Sequence, residues 1–200
     1  DLAKNAEPMY KPACEFYASL AFPGHQPDPK KKKEKFKPTS APCHIVDIFA
    51  CSLDQVGFLE MRGLVEATGG LAVLGDSFGQ SVFKESLRRV FNRYPDDAAD
   101  AGHMQMAFAG SLEVLTSHEF KVSGAIGPVT SLHKNSNNVS DLEVGRGGTN
   151  AWGLGGMDPN TTVGVYFDVC STGNIPEGKR RYIQFLTKYQ HSNGRTRLRA

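Results

Sequence analysis

The sequence has few cysteines, little net charge and no long hydrophobic run. Its 200 residues contain 4 Cys, and 23 Lys and Arg against 21 Asp and Glu give a net charge of +2 at pH 7. A charge so close to neutral gives no general reason to expect nucleic acid as a partner. No apolar stretch approaches the ~20 residues of a membrane-spanning helix. With 40% hydrophobic residues the composition is that of a globular protein, and the length suits one large domain or two small ones.

The cysteines and histidines form no pattern typical of a metal site or an active site. Cys14, Cys43, Cys51 and Cys170 include no Cys-x-x-Cys pair, and small disulfide-stabilised domains carry cysteines far more densely. The six histidines are scattered, and none stands beside a nucleophile and an orienting carboxylate. We therefore expect free thiols, no cofactor or metal, and no enzyme active site.

Both ends of the chain suggest a fragment of a longer protein. The first residue is Asp1 rather than Met, and no signal peptide follows it. The last residues, Arg197–Ala200, alternate like a strand interrupted midway.

Residues 1–93 show helical periods that alternate with short apolar runs. Within residues 1–22 we expect a helix only toward the end, because Pro8 and Pro12 confine its start. The runs Ile45–Cys51 and Leu71–Leu74 are almost continuously apolar, which predicts two buried strands covered on both faces. This order of elements indicates part of an open α/β sheet.

Local signals predict where helices end and begin in this half. Gly69 and Gly70 are typical of a helix end, and the spacing of Ser77 and Gln80 predicts a capping box in which Ser77 opens the next helix. The segment Pro23–Pro42 has five prolines and little to bury, which predicts a mobile loop.

The hydrophobic period changes from helical to alternating after residue 93. Residues 94–102 read as an acidic, exposed linker. Alternation at period two then recurs over Val163–Val169 and Tyr182–Gln190, and Asn193-Gly194 predicts a hairpin turn. Residues 103–200 therefore predict an antiparallel β-barrel or sandwich, and the whole chain an α+β fold.

Three glycine-containing stretches resemble phosphate-binding loops only in part. The stretch 173–180 has the G-x-x-x-x-G-K order, but Arg180 stands where magnesium binding requires Ser or Thr. We interpret it as a hairpin loop, with a nucleotide-binding module as the alternative. Gly145–Gly148 and Gly153–Gly156 lie among strands, where turns and bulges explain them.

Two basic clusters are candidates for contact with an anionic surface. The first cluster is the run of six lysines between Lys30 and Lys37. A solvated loop explains this run equally well, and a polyanion binder is a further alternative. Basic residues near an anionic membrane are each worth ~1 kcal/mol. Arginines at alternate positions of a hairpin share one face, which predicts a basic ridge. The candidate residues are Lys30, Lys31, Lys32, Lys33, Lys35, Lys37, Arg195, Arg197 and Arg199.

Four stretches in order along the chain carry a resemblance to a known family: His44–Gly57, Asp76–Lys84, Phe120–Gly127 and Ile183–Ser192. They resemble the Sec23 subunit of the COPII inner coat over nearly the whole chain. The resemblance implies that residues 1–93 are the closing part of a von Willebrand A-like trunk domain. Residues 103–200 would be most of a β-barrel domain, incomplete in isolation.

The resemblance also implies partners and a location. The family works in transport from the endoplasmic reticulum to the Golgi, as a cytoplasmic, peripheral protein of endoplasmic reticulum exit sites and COPII vesicles. It assembles with a Sar-type small GTPase, a cargo-selecting sister subunit and the outer coat, and it accelerates GTP hydrolysis by the GTPase. The zinc finger and the gelsolin-like domain with the inserted arginine fall outside these 200 residues, so no zinc role and no catalytic role are carried to any residue here.

Overall fold

The computed structural model describes residues 2–22, 41–170 and 180–200. The predicted mobile segment Pro23–Pro42, apart from its last two residues, and the 173–179 loop lie outside this range. Within it the chain forms three helices and nine strands. The helices are α1 (Leu2–Ser19), α2 (Phe58–Thr68) and α3 (Ser81–Val90); the strands are β1 (Ile48–Cys51), β2 (Ala72–Gly75), β3 (Ala107–Thr116), β4 (Phe120–Ile126), β5 (Thr130–Ser131), β6 (Ala151–Met157), β7 (Gly164–Val169), β8 (Ile183–His191) and β9 (Thr196–Arg199).

Strands β1 and β2 form a parallel pair, in keeping with the predicted α/β sheet, but of their residues only Val73 is buried. Ile48 pairs with Ala72, and the strand starts there rather than at Ile45. All four residues of β1 are half-buried, and the side chain of Leu74 is 55% exposed. The prediction of burial on both faces is wrong: among the described helices α3 packs on this pair, through the Phe83 and Phe49 rings, and most residues of the two strands keep partial access to solvent.

Helix α1 begins earlier than the low helix propensity of its two prolines predicts. It runs from Leu2 and includes both Pro8 and Pro12, so the prediction of a helix only toward the end of residues 1–22 is wrong. The helix packs on α2, where Ala18 lies against Gly63 and the Cys14 thiol points at the Leu59 carbonyl oxygen, 3.9 Å away. These contacts lie in the later turns of α1, whereas Pro8 and Pro12 lie in exposed turns before them, and no described contact explains why the helix continues through both prolines.

The predicted end of α2 is confirmed, whereas the predicted start of α3 is wrong. Gly69 ends α2 in the left-handed conformation (φ 68°), as predicted, and its amide bonds back to the carbonyls of the last turn. The capping box is wrong, because α3 begins at Ser81 after Gln80 and has no side-chain cap. The Ser77 hydroxyl instead accepts a hydrogen bond from the Gly79 amide at 3.1 Å, which is a local turn.

The second half is the antiparallel sandwich that the alternating pattern predicts. One sheet has the order β5-β6-β3-β8-β9, and β4 and β7 form the other. Between them lies a core in which Val114, Val122, Ala125 and Trp152 are completely buried. The α+β fold class is thereby confirmed. None of the described helices is both long and apolar enough to span a membrane.

Candidate functional site

The predicted arginine ridge lies on the β8–β9 hairpin. Arg197 and Arg199 are two residues apart on β9 and share a face, opposite Tyr189 and Thr187 of β8. Arg195 is exposed in the turn that precedes β9. The six lysines of the other cluster lie outside the described residues, so their role stays a prediction.

Arg197 is held by a carboxylate rather than left free for a ligand. One of its terminal nitrogens donates to both oxygens of Asp100, at 2.7 Å to Oδ1 and 2.8 Å to Oδ2. This hydrogen bond lowers the pKa of Asp100 below its usual range, against the opposing effect of desolvation, and it raises the pKa of Arg197. The Asp100 side chain is only 19% exposed, so the prediction that the whole acidic linker is exposed is wrong at this residue.

Two further residues of the hairpin converge on the same carboxylate. The Asn193 side-chain amide donates to Asp100 Oδ1 at 3.0 Å, and His191 Nε2 lies 3.6 Å from Oδ2. The imidazole is 3% exposed and stacks on the ring of Tyr94, with 5.7 Å between ring centroids. The Asp100 cluster, as we call Asp100, Asn193, His191, Arg197 and Tyr94, thus joins the hairpin to the segment between α3 and β3.

The hairpin turn has the geometry that brings these side chains together. The Gly194 amide donates to the His191 carbonyl at 2.8 Å, and Gly194 alone of the two predicted turn residues has a positive φ, 84°. This is the three-residue hairpin loop in which glycine occupies the left-handed position. The Asn193 amide donates to His191 Nδ1 at 3.2 Å, so the turn also fixes the imidazole.

The segment that carries Asp100 is itself folded back on a short ladder. Arg93 bridges to Met104, and the Tyr94 amide donates to the His103 carbonyl at 2.9 Å. The Ser192 hydroxyl donates to the Met104 carbonyl at 2.7 Å, which ties the ladder to the hairpin turn. Asp100 therefore stands at the tip of a supported loop.

The glycine-rich run of β6 makes a second contact between the two halves. A Cβ atom built on Gly155 would lie 2.3 Å from the Thr68 carbonyl oxygen, and one on Gly69 would lie 2.4 Å from the Gly156 and Leu154 carbonyl oxygens. Backbone therefore touches backbone where the end of α2 meets β6. The bulge predicted for Gly153–Gly156 is present, as a register shift opposite Gly110, but the sequence did not predict this contact.

The cysteines and the 173–180 stretch are the other candidate features of the sequence. Among the residues that the structure describes, no group of three His, Cys, Asp or Glu side chains lies close enough to hold a metal ion. All four cysteines are free, two exposed and two half-buried. Of the 173–180 stretch only Arg180 is described, and it is exposed. The nucleotide-binding alternative lies outside the described residues.

Sequence reasoning missed Asp100, His191 and Tyr94 as members of one cluster. Asp100 and Arg197 are 97 residues apart, and no local pattern marks either as a partner of the other. The nearest signal was the Asn193-Gly194 turn, which fixes the hairpin but not what it touches.

Comparison with known proteins assigns both halves to one family. The Sec23/Sec24 trunk domain matches residues 30–91, and the Sec23/Sec24 beta-sandwich domain matches residues 107–200. Over its whole length the chain is 42% identical to protein transport protein SEC23 F of Arabidopsis thaliana, and it spans 23% of that relative. It also resembles the crystal structure of the human COPII-coat protein Sec24c, with a TM-score of 0.53 and 20% identity over 77% of this chain and 18% of that one, which bears on the fold alone. The chain belongs to the Sec23/Sec24 family.

Proposed function

We propose that the chain is part of a Sec23-type subunit of the COPII coat and that it works in vesicle transport from the endoplasmic reticulum to the Golgi. The observation that carries the proposal is the 42% identity to SEC23 F along the whole chain.

In this role the chain contributes structure and partner contacts rather than catalysis. The partners are a Sar-type small GTPase, a cargo-selecting sister subunit and the outer coat, on the cytoplasmic side of endoplasmic reticulum exit sites. The trunk and sandwich halves meet through backbone contacts, which suits a scaffold that presents surfaces at fixed positions.

A pairwise binding assay tests the Sec23 assignment against its nearest alternative. The immobilised 200-residue chain is presented with a purified Sec24-type subunit, a Sec23-type subunit and a Sar-type GTPase loaded with a non-hydrolysable GTP analogue. An unrelated small GTPase is the control. We expect saturable binding to the Sec24-type subunit or the Sar-type GTPase. Selective binding to the Sec23-type subunit would contradict the proposal and favour a Sec24-type chain.

The chain alone should not activate the GTPase. An inserted arginine stabilises the transferring phosphoryl group and is worth roughly 10³–10⁵ in rate. None of the arginines here stands in a motif that matches the family's finger. We expect single-turnover GTP hydrolysis by the Sar-type GTPase to change little at saturating chain. Stimulation of about a hundredfold or more would show a catalytic arginine within these residues.

We also propose that Arg195 and Arg199 contact an anionic membrane surface. Both are exposed on the hairpin, whereas Arg197 between them is held by Asp100. Replacing both by alanine should weaken binding to vesicles with anionic lipid about tenfold or more, at ~1 kcal/mol for each charge. The matched control replaces the exposed Arg88 and Arg89 of α3. Equal binding by the two double variants would contradict the contact.

A further inference from the structure

The buried imidazole of His191 carries a nitrogen without a hydrogen-bond partner in the described part of the chain. This side chain is 3% exposed, and its Nε2 is a buried atom that makes no hydrogen bond within the described residues. Its Nδ1 accepts a hydrogen bond from the Asn193 amide at 3.2 Å. A nitrogen that accepts a hydrogen bond carries no proton, so the neutral ring must hold its proton on Nε2.

That tautomer places the Nε2 proton toward the ionised carboxylate of Asp100. The distance from Nε2 to Asp100 Oδ2 is 3.6 Å, too long for a good hydrogen bond but short enough for attraction. The charge of Asp100 is already balanced by Arg197, which donates to both of its oxygens. The carboxylate is therefore not an unpaired anion that would draw a second proton onto the ring.

A second proton on the ring would go to Nδ1, because Nε2 already holds one. The Nδ1–H group would then face the Asn193 N–H, donor against donor, and the hydrogen bond inside the turn would be lost. It would also place a buried cation beside Arg197, which lies on the same carboxylate. Burial without a new partner opposes this charge.

The groups that face the ring come from three elements. Asp100 and Tyr94 belong to the segment between α3 and β3, and Arg197 belongs to β9. Tyr189 of β8 interacts with the Arg197 side chain through a hydrogen bond that raises the pKa of Arg197. Ala107 of β3, directly opposite His191, brings no titratable group.

We propose that His191 makes the β8–β9 hairpin a proton-sensitive clasp, closed when the imidazole is neutral and released when Nδ1 takes up a second proton. In the closed state the Asn193 amide is bonded to Nδ1, and its side chain and Arg197 are both bonded to Asp100. Release loosens the turn while the sandwich core stays folded.

Two NMR measurements on the whole chain test the clasp. At pH 7.5, long-range nitrogen–proton spectra should show the Nε2–H tautomer of His191. Between pH 7.5 and 5.5, protection of the Asn193 amide from hydrogen exchange should fall about three- to tenfold beyond the intrinsic rate change. A fall of this size corresponds to the loss of one hydrogen bond. The Val114 amide in the core should keep its protection over the same range.

His191→Asn is the matched variant, because its side-chain oxygen can accept from the Asn193 amide but cannot be protonated. In this variant the pH dependence of Asn193 protection should disappear. An equal fall in the wild type and the variant, or no fall in the wild type, would overturn the proposal. So would the Nδ1–H tautomer at pH 7.5, a result that does not depend on the variant folding.

Discussion

Gly155 lies where the backbone of β6 meets the end of α2, with no space for a side chain. A Cβ there would lie 2.3 Å from the Thr68 carbonyl oxygen, and the residue has a φ of 61°. We expect Gly155→Ala to lower the free energy of unfolding by about 2–5 kcal/mol, from left-handed strain and overpacking together. Urea unfolding measures this.

The matched control is Gly102→Ala, because Gly102 has a similar φ of 76° but nothing within 4 Å of the added Cβ. This variant should lower the free energy of unfolding by the conformational strain alone, about 1–2 kcal/mol. If the two variants are equally stable, the close contact between the halves does not contribute to stability.

Asp100 gives the fold a dependence on acid that can be assigned to one residue. Its pKa is lowered in the folded chain by the hydrogen bond from Arg197, so its contribution is fully present above the unfolded value of ~3.9 and is lost as the pH falls through the folded pKa. Asp100→Asn should be less stable than the wild type at pH 7, and the difference should shrink below about pH 4. The measurement is a series of urea midpoints between pH 2.5 and 7.

Asp97→Asn serves as the comparison, since Asp97 is exposed in the same segment. We expect it to follow the wild-type curve. A difference between Asp100→Asn and the wild type that stays constant down to pH 2.5 would mean that the carboxylate charge is not what stabilises the cluster.

At the scale of elements, Thr68 links the end of α2 to the chain that enters β1. Its hydroxyl donates to the Leu64 carbonyl at 2.9 Å and accepts from the Val46 amide at 3.2 Å, and the residue is fully buried. Thr68→Val should lower the free energy of unfolding by about 1–3 kcal/mol, because the Val46 amide loses its hydrogen-bond acceptor and gains no water molecule in its place. Thr68→Ser, which keeps the hydroxyl, should cost clearly less in the same thermal or urea unfolding experiment. A Val variant as stable as the wild type would contradict this role of the hydroxyl, because valine keeps the methyl group of threonine and lacks only the hydroxyl.

The elements differ in how far the sequence could predict them. Alternation predicted β7 and β8 because one face of each strand packs inward, and Gly69 ended α2 because the left-handed position favours glycine. The predicted start of α1 was wrong because the helix continues through the exposed Pro8 and Pro12, which helix propensity disfavours. The Asp100 cluster could not be predicted because it joins residues about 100 positions apart through tertiary structure alone.

At the scale of the whole molecule, the two sheets of the sandwich have open edges. Within the described residues, β7 pairs only with β4, and β9 pairs only with β8. Free backbone groups at an edge invite association with another chain. We expect self-association that increases with concentration, measured by sedimentation velocity.

Leu198→Lys provides a specific test of the β9 edge. Leu198 is 70% exposed on this strand, and an added lysine discourages pairing of edges. The variant should self-associate less than the wild type. A wild-type chain that stays monomeric at high concentration would contradict the expectation, and unchanged association of the variant would exclude this edge.

The backbone contact at Gly155 also limits the angle between the two halves. Strand β3 has 10 residues, so at ~3.4 Å per residue the sandwich extends roughly 34 Å along it. Over that length a rotation of about 5° at the junction would move the far end by about 3 Å, the length of a hydrogen bond. Side chains at a junction can change rotamer and absorb such a rotation, but a carbonyl against a glycine Cα cannot. The peptide geometry where β6 meets the end of α2 therefore restricts the direction in which the sandwich points.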